Sequence, residues 1–215
     1  MPAGRGRLIA LEGIDGCGKS TQAKAVAAAL GARLTHEPGA TPLGALVRQV
    51  LLAPDSPPTS LRAEALLMAA DRAEHVAQVI EPALASGVWV VTDRYSGSTI
   101  AYQGYGRGLE IAGLAELVAW ATGGVEADLS ILVDVPVEVA AARLAGGARR
   151  GRGADRMERL GPDFAARVRT GFLAQATDDV VHWVIVDGTG EPGTITAHIV
   201  EAVHARLGTE PGLGR

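Results

Sequence analysis

The sequence predicts an α/β fold of three layers, a central parallel sheet with helices on both faces. Two observations carry that reading. Short apolar runs alternate along the chain with segments of helical spacing or high helix propensity, the pattern of parallel strands joined by crossover helices. The first apolar run also ends at a glycine-rich turn that opens a helix: Glu12, then Gly13-Ile14-Asp15-Gly16-Cys17-Gly18-Lys19-Ser20-Thr21. At 215 residues the chain reads as a single domain, with a core over about 7–207 and a frayed tail at 208–215.

Taken in order, residues 8–11 form the first strand and 20–30 an alanine-rich helix. A weaker strand is expected at 32–36, a helix at 42–52, and a Pro-rich surface loop at 53–59. A long helix is expected over 60–85, a strand at 88–92 and a helix at 96–102. The remainder reads as a helix at 110–122, a strand at 128–133, a helix at 136–144, a helix at 157–179, a strand at 183–186 and a helix at 192–207. In such sheets ligands sit at the carboxyl ends of the strands, so chemistry is expected there.

The turn matches G-x-x-x-x-G-K-[ST] at Gly13, Gly18, Lys19 and Ser20, the phosphate-binding P-loop. Glycines let backbone N–H groups approach phosphate oxygens, and the helix N-terminus adds partial positive charge. Lys19 reaches the β- and γ-phosphates, and the Ser20 hydroxyl is the expected Mg²⁺ ligand. The chain holds 18 Arg against two Lys, Lys19 and Lys24. A Lys at the motif position therefore points to a need for a compact ammonium. Cys17 reads as a small residue tolerated in the loop. Its alternative is a thiol acidified by the helix N-terminus.

Three further constellations stand out. Asp93-Arg94-Tyr95 closes the strand at 88–92; Asp93 is placed to orient a metal or its waters, and Arg94 to bridge phosphates in a bidentate way. Taken alone, the tripeptide could equally be a surface ion pair beside an aromatic cap. Four arginines, Arg149, Arg150, Arg152 and Arg156, lie in a glycine-rich stretch at 146–157. That is either a solvated charge run or an Arg-rich LID that closes over a triphosphate. Met68, Arg72 and His75 share one helical face. They fit a base-packing site, or a core Met with a snorkelling Arg, with His75 structural rather than catalytic.

These stretches together resemble the bacterial thymidylate kinases, P-loop nucleoside-monophosphate kinases. The likeness rests on 12–21, Glu37-Pro38-Gly39, 69–75, Asp93-Arg94-Tyr95 through Ser98-Thr99, Ala101-Tyr102-Gln103-Gly104, Gly106-Arg107-Gly108 and Asp155-Arg156-Met157-Glu158. It covers about residues 7–205. The resemblance implies transfer of the ATP γ-phosphoryl group to dTMP with Mg²⁺, in a cytoplasmic homodimer. It implies that Gly13, Ile14, Asp15, Gly16, Cys17, Gly18, Lys19, Ser20 and Thr21 hold ATP. Asp15 then faces the nucleotide sugar and Arg94 bridges the phosphoryl groups. Arg48 and Arg72 reach dTMP, Tyr102 disfavours a 2′-hydroxyl, and Thr99 and Gln103 line the thymine end. Glu37, Met68 and Ser98 belong to the same acceptor site, and Glu158 sits close to the metal beside Ser20 and Asp93. In this family the P-loop or the LID supplies an Arg; Gly16 leaves that task to Arg149, Arg150 or Arg152. Met68 stands where many members carry a Phe, His36 where an Arg is common, and Ala40 in place of a second Gly.

Composition narrows the alternatives. A net charge of −4 supplies no basic field for nucleic acid. One cysteine excludes an internal disulfide, and a reducing cytosol is the simplest home. No apolar stretch reaches membrane-span length, and no signal-like apolar run follows Arg7. A guanine-reading N-K-x-D switch motif is absent because the chain has no Asn. A kinase for another monophosphate or a nucleoside is the nearest competitor. Against an inactive scaffold stands the presence together of Lys19, Ser20, Asp93 and Arg94.

Overall fold

The computed structural model describes residues 4–53, 55–146 and 156–208. Its strands are β1 (Leu8–Glu12), β2 (Arg33–His36), β3 (Val90–Asp93), β4 (Leu129–Asp134) and β5 (Trp183–Asp187). They form one all-parallel sheet in the order β2-β3-β1-β4-β5. Strand side chains alternate between faces, and β1 illustrates the consequence. Leu8 and Ala10 pack with Val76, Ile80, Ala83 and Leu84 in one cluster. Ile9 and Leu11 join a larger cluster with Ala23, Val26 and Ala27 of helix α1 (Lys19–Leu30) and with Ile199 and Val203. Both faces of the strand are therefore covered, as its unbroken apolar run required. Fully burying each of its larger side chains contributes about 1.5–3 kcal/mol.

The chain winds from β1 outward to β2 and β3 on one side, then to β4 and β5 on the other. β1 is thus the point where strand order reverses, and a crevice opens beyond its carboxyl end. The register places Leu11 beside both Asp93 and Ile131. The P-loop and the Asp93-Arg94-Tyr95 corner therefore leave the sheet side by side.

β2 is a full member of the sheet. Its signal is faint because it is an edge strand with exposed Arg33, Leu34 and His36. Helix α2 (Pro42–Leu52) follows, capped by the Thr41 hydroxyl, which accepts from the Gly44 N–H. The long helix at 60–85 is interrupted: α3 (Leu61–His75) passes through a π-helical segment, Val76–Ile80, into α4 (Glu81–Ala85). Pro82 sits in the first turn of α4 and has no N–H to donate, and the wider π turn accommodates that gap. The short α5 (Ser96–Thr99) likewise continues as a π-helical segment, Ile100–Gly106, four residues past the expected end. Helices α6 (Ile111–Thr122) and α7 (Val137–Gly146) lie close to their expected ranges. The helix expected at 157–179 is split by Gly161, at φ 83°, into a 3-10 turn (Glu158–Leu160) and α8 (Pro162–Asp178). Pro162 at the start of α8 is the matching sequence signal. Helix α9 (Pro192–Leu207) closes the fold. Arg149, Arg150 and Arg152, expected to belong to a LID, and the expected tail beyond residue 208 lie outside the described residues.

Candidate active site

The crevice beyond β1 holds a cavity that gathers most of the residues singled out above. Asp15, Lys19 and Ser20 come from the P-loop and α1; Asp93 and Arg94 from the end of β3; Ser98, Thr99, Tyr102 and Gln103 from α5 and its π extension. Glu37 and Arg48 approach from the β2–α2 side, and Met68 and Arg72 from α3.

Asp15 is the centre of the polar cluster. Its Oδ1 accepts from Arg94 Nη2 at 2.7 Å and from Lys19 Nζ at 3.4 Å. Its Oδ2 accepts from the Tyr102 hydroxyl at 2.9 Å. Burial alone would raise the Asp15 carboxyl. The charges of Arg94 and Lys19, with the Tyr102 and Arg94 hydrogen bonds, instead hold it well below the ordinary range. Asp15 is thus an anion at any physiological pH.

Arg94 is held on every side. Nη1 donates to the Gly13 carbonyl and the Ser98 hydroxyl, both at 3.0 Å, and Nη2 also donates to the Tyr102 hydroxyl at 2.8 Å. The guanidinium lies 4.7 Å from the Tyr102 ring centroid. Burial would lower its pKa, but Tyr102 and the Asp15, Asp93 and Glu12 carboxyls keep it well above the ordinary value. Its backbone takes φ 76°, the only non-glycine positive φ among the described residues. An L-residue there stores about 1–2 kcal/mol.

Glu12, to which no role was assigned from sequence, fixes that corner. It is fully buried. Its Oε1 accepts from the Tyr95 and Ser98 N–H groups, and Oε2 accepts from the Ser98 hydroxyl at 2.6 Å. Burial pushes its pKa up to about 7, against the pull of the Ser98 hydrogen bond and of Arg94. The signal that could have found it is a carboxylate closing an otherwise wholly apolar strand.

A second buried network orients Arg72. Its Nε donates to Glu37 Oε2 at 2.9 Å, Nη1 to the Thr99 hydroxyl at 2.8 Å and Nη2 to the Tyr95 carbonyl at 3.0 Å. Glu37 Oε1 meets His75 Nδ1 at 2.9 Å, and His75 Nε2 meets the Thr35 hydroxyl at 2.6 Å. His75 is structural, as expected, and acts as the strut behind Glu37. The Arg48 Nη1 donates to the Pro38 carbonyl, tying α2 to the same loop.

Gly13, Gly16 and Gly18 all take positive φ. The side chain of Cys17 turns into the core, and burial pushes its thiol up rather than down. The acidified-thiol reading is therefore corrected: desolvation outweighs the helix N-terminus. Arg143, unremarked in the sequence, donates to the Cys17 carbonyl at 3.1 Å and to the Gly188 carbonyl at 2.9 Å, bracing the P-loop against the turn after β5. Glu158 lines a neighbouring, more apolar cavity with Ile14, Leu144 and Phe164, which shares Asp15, Tyr102 and Met157 with the first.

With this geometry in place, comparison with known proteins is decisive. The thymidylate kinase family model matches residues 11–199. The chain belongs to the thymidylate kinase family. Among curated relatives, the thymidylate kinase of Cupriavidus metallidurans is 45% identical over 203 residues, covering 93% of this chain and 98% of that one. The thymidylate kinase of Synechococcus sp. strain RCC307 is 45% identical over 214 residues, covering 94% and 98%. That of Prochlorococcus marinus strain MIT 9313 is 49% identical over 185 residues, covering 80% and 83%. The family match spans the P-loop, the Asp93-Arg94-Tyr95 corner and the Arg72 network alike.

A test of the metal site rests on Asp93. Its Oδ1 is buried and has no hydrogen-bond partner among the described residues. It shares the cavity with the Ser20 hydroxyl. No cluster of three His, Cys, Asp or Glu that could cage a metal exists among the described residues. Hard oxygen donors in so small a number suit Mg²⁺ carried in with phosphates.

Proposed function

We propose that this chain is a thymidylate kinase domain, with its core at 7–207 and its LID at 146–157, that transfers the ATP γ-phosphoryl group to dTMP, giving dTDP and ADP. One observation carries this reading: the P-loop Lys19 and Ser20 share a single cavity with the buried Arg72 network, and Asp15 and Arg94 stand between them. This shared cavity supports the reading of a phosphate-donor loop beside a base-and-sugar pocket.

Phosphoryl transfer asks for positioning and electrostatic stabilisation more than for covalent help from the protein. Lys19 and the amides at the start of α1 hold the donor phosphates. Arg94, already oriented by Gly13, Asp15, Ser98 and Tyr102, is placed to neutralise charge on the group in transfer. Ser20 and Asp93 would hold Mg²⁺, whose charge offsets that of the β- and γ-oxygens when it is bound. The Tyr102 hydroxyl, fixed between Arg94 and Asp15, occupies the sugar side and disfavours a 2′-hydroxyl. Met68 covers the base as a polarizable thioether.

The remaining positive charge is assigned to Arg149, Arg150 or Arg152 of the LID. A side chain at position 16 would start 2.4 Å from the Ala140 carbonyl oxygen, on a backbone at φ 85°, so the P-loop has no room for an Arg there. The protein is further read as cytoplasmic, as the family resemblance implies; no helix among the described residues is long and apolar enough to cross a membrane. It is also read as a homodimer. Helices α3 and α6 pack side by side and present Leu66 and an 83% exposed Trp120, a face that suits a second copy.

A coupled ADP-release assay across dTMP, dUMP, UMP, CMP and dCMP tests the reading. The expected result is turnover with Mg-ATP that is fastest on dTMP. Preference for another monophosphate would overturn it.

A further inference from the structure

Glu64 is the most enclosed carboxylate of α3, with no exposed surface, and lies outside the phosphate machinery. Its Oε1 accepts from Gln103 Nε2 at 3.1 Å and from Arg107 Nε at 3.1 Å, and its Oε2 accepts from Arg107 Nη2 at 2.8 Å. Arg156, at the LID base, adds a second guanidinium 3.9 Å away. Two cations facing one carboxyl complement its anionic form, and a carboxylate only accepts hydrogen bonds. The Gln103 amide therefore has one allowed orientation: nitrogen toward Glu64, carbonyl oxygen turned away from it. That oxygen has no hydrogen-bond partner among the described residues, and Gln103 lines the active-site cavity.

Arg72 supplies the opposite polarity. Three of its five N–H groups are used by Glu37, Thr99 and the Tyr95 carbonyl, which leaves two donors. The base end of the cavity thus offers a fixed donor and a fixed acceptor. A 4-oxo pyrimidine complements this pair, with O4 as acceptor and N3–H as donor. Cytosine presents the reverse at both positions, a 4-amino donor and a bare N3.

We propose that Glu64 is a specificity-setting positioning residue: by holding the Gln103 nitrogen it restricts the acceptor to 4-oxo pyrimidines and excludes cytosine. The proposal rests on the dTMP kinase reading above. It predicts that the base is read by Gln103 and Arg72, while the residue that sets the choice, Glu64, stands behind them and outside the cavity lining. Replacing the carboxylate by an amide frees the Gln103 side chain to turn over, because the introduced amide can accept from it or donate to it.

The experiment compares wild type with Glu64→Gln on dTMP, dUMP and dCMP at saturating Mg-ATP. The dTMP-to-dCMP ratio of kcat/KM should fall about 10- to 100-fold. The dTMP-to-dUMP ratio should hold within about twofold, since both bases present O4 and N3–H; a general loosening of the pocket would move it as well. In a Gln103→Met background, Glu64→Gln should leave the dTMP-to-dCMP ratio unchanged, because the group it orients is gone. Where Glu64→Gln does not fold, Glu64→Asp keeps the charge, retracts the carboxylate and should lower the ratio several-fold. An unchanged dTMP-to-dCMP ratio in a folded variant, or equal loss of both ratios, overturns the proposal. Wild type failing to act on dTMP overturns instead the reading on which it rests.

Discussion

At the scale of single residues, Arg94 combines a proposed function and backbone strain in one position. Its guanidinium is the best-held cation in the cavity, and its backbone is the strained one. These two properties separate by mutation. Arg94→Ala should lower kcat by about 10²–10³-fold while changing the dTMP dissociation constant much less, and steady-state kinetics with equilibrium binding would show it. Arg94→Gly should be as inactive but should be about 1 kcal/mol more stable to unfolding than Arg94→Ala, since glycine carries the positive φ without a Cβ penalty. Lys19→Ala should follow the Arg94→Ala pattern in turnover.

Glu12 makes a prediction of a different kind. Its folded pKa of about 7 stands above the ordinary value of 4.5. Folding therefore favours the protonated form, and the stabilisation from this group is complete below about pH 4.5. It is lost as pH rises toward 7 and changes little beyond. Glutamine keeps an oxygen for the Tyr95 and Ser98 N–H groups and offers its nitrogen to the Ser98 oxygen. Glu12→Gln should therefore fold, and its melting temperature relative to wild type should climb between about pH 4.5 and 7. A flat difference across that range would show that Glu12 does not titrate there.

At the scale of elements, the π segments are the feature sequence periodicity could not give. Helical spacing continues unchanged through 60–85, and only Pro82 marks the place where the hydrogen-bond ladder must widen. The first π segment begins directly after His75, whose ring spans from Thr35 on β2 to Glu37. His75→Ala would leave the Glu37 Oε1 and the Thr35 hydroxyl unsatisfied in the interior, costing about 1–3 kcal/mol in urea unfolding. Because Glu37 aims Arg72, the kinetic effect should be a higher KM for dTMP with kcat nearly preserved. The P-loop and the Asp93-Arg94-Tyr95 corner were legible because each follows a strongly apolar strand and carries unusual residue types. The contributions of Glu12, Glu64 and Arg143 were not. A buried carboxylate or guanidinium looks in sequence like any surface charge until its partners, drawn from distant segments, are known.

At the scale of the whole molecule, the alternation of strands and helices sufficed for the sheet, since a parallel sheet covered on both faces is the arrangement that buries such runs. Only the edge strand β2, half polar, read weakly. Assembly is less visible, because an apolar helix face reads alike whether it meets the core or another copy. If the α3–α6 face joins two copies, Trp120→Glu combined with Leu66→Glu should convert a dimer to a monomer in sedimentation equilibrium. The P-loop residues read as holding ATP come from neither helix, so binding of ATP should survive in the monomer.

The single cysteine has a use beyond its place in the fold. Cys17 is the chain's only thiol, and it is buried within the glycine-rich loop at 13–20, packed into the core. A thiol reagent can reach it only when that loop lifts from the sheet, so labelling kinetics on the unmodified protein become a clock for the opening of the proposed nucleotide site. No engineered probe is required, and each nucleotide can be ranked by how far it slows the clock.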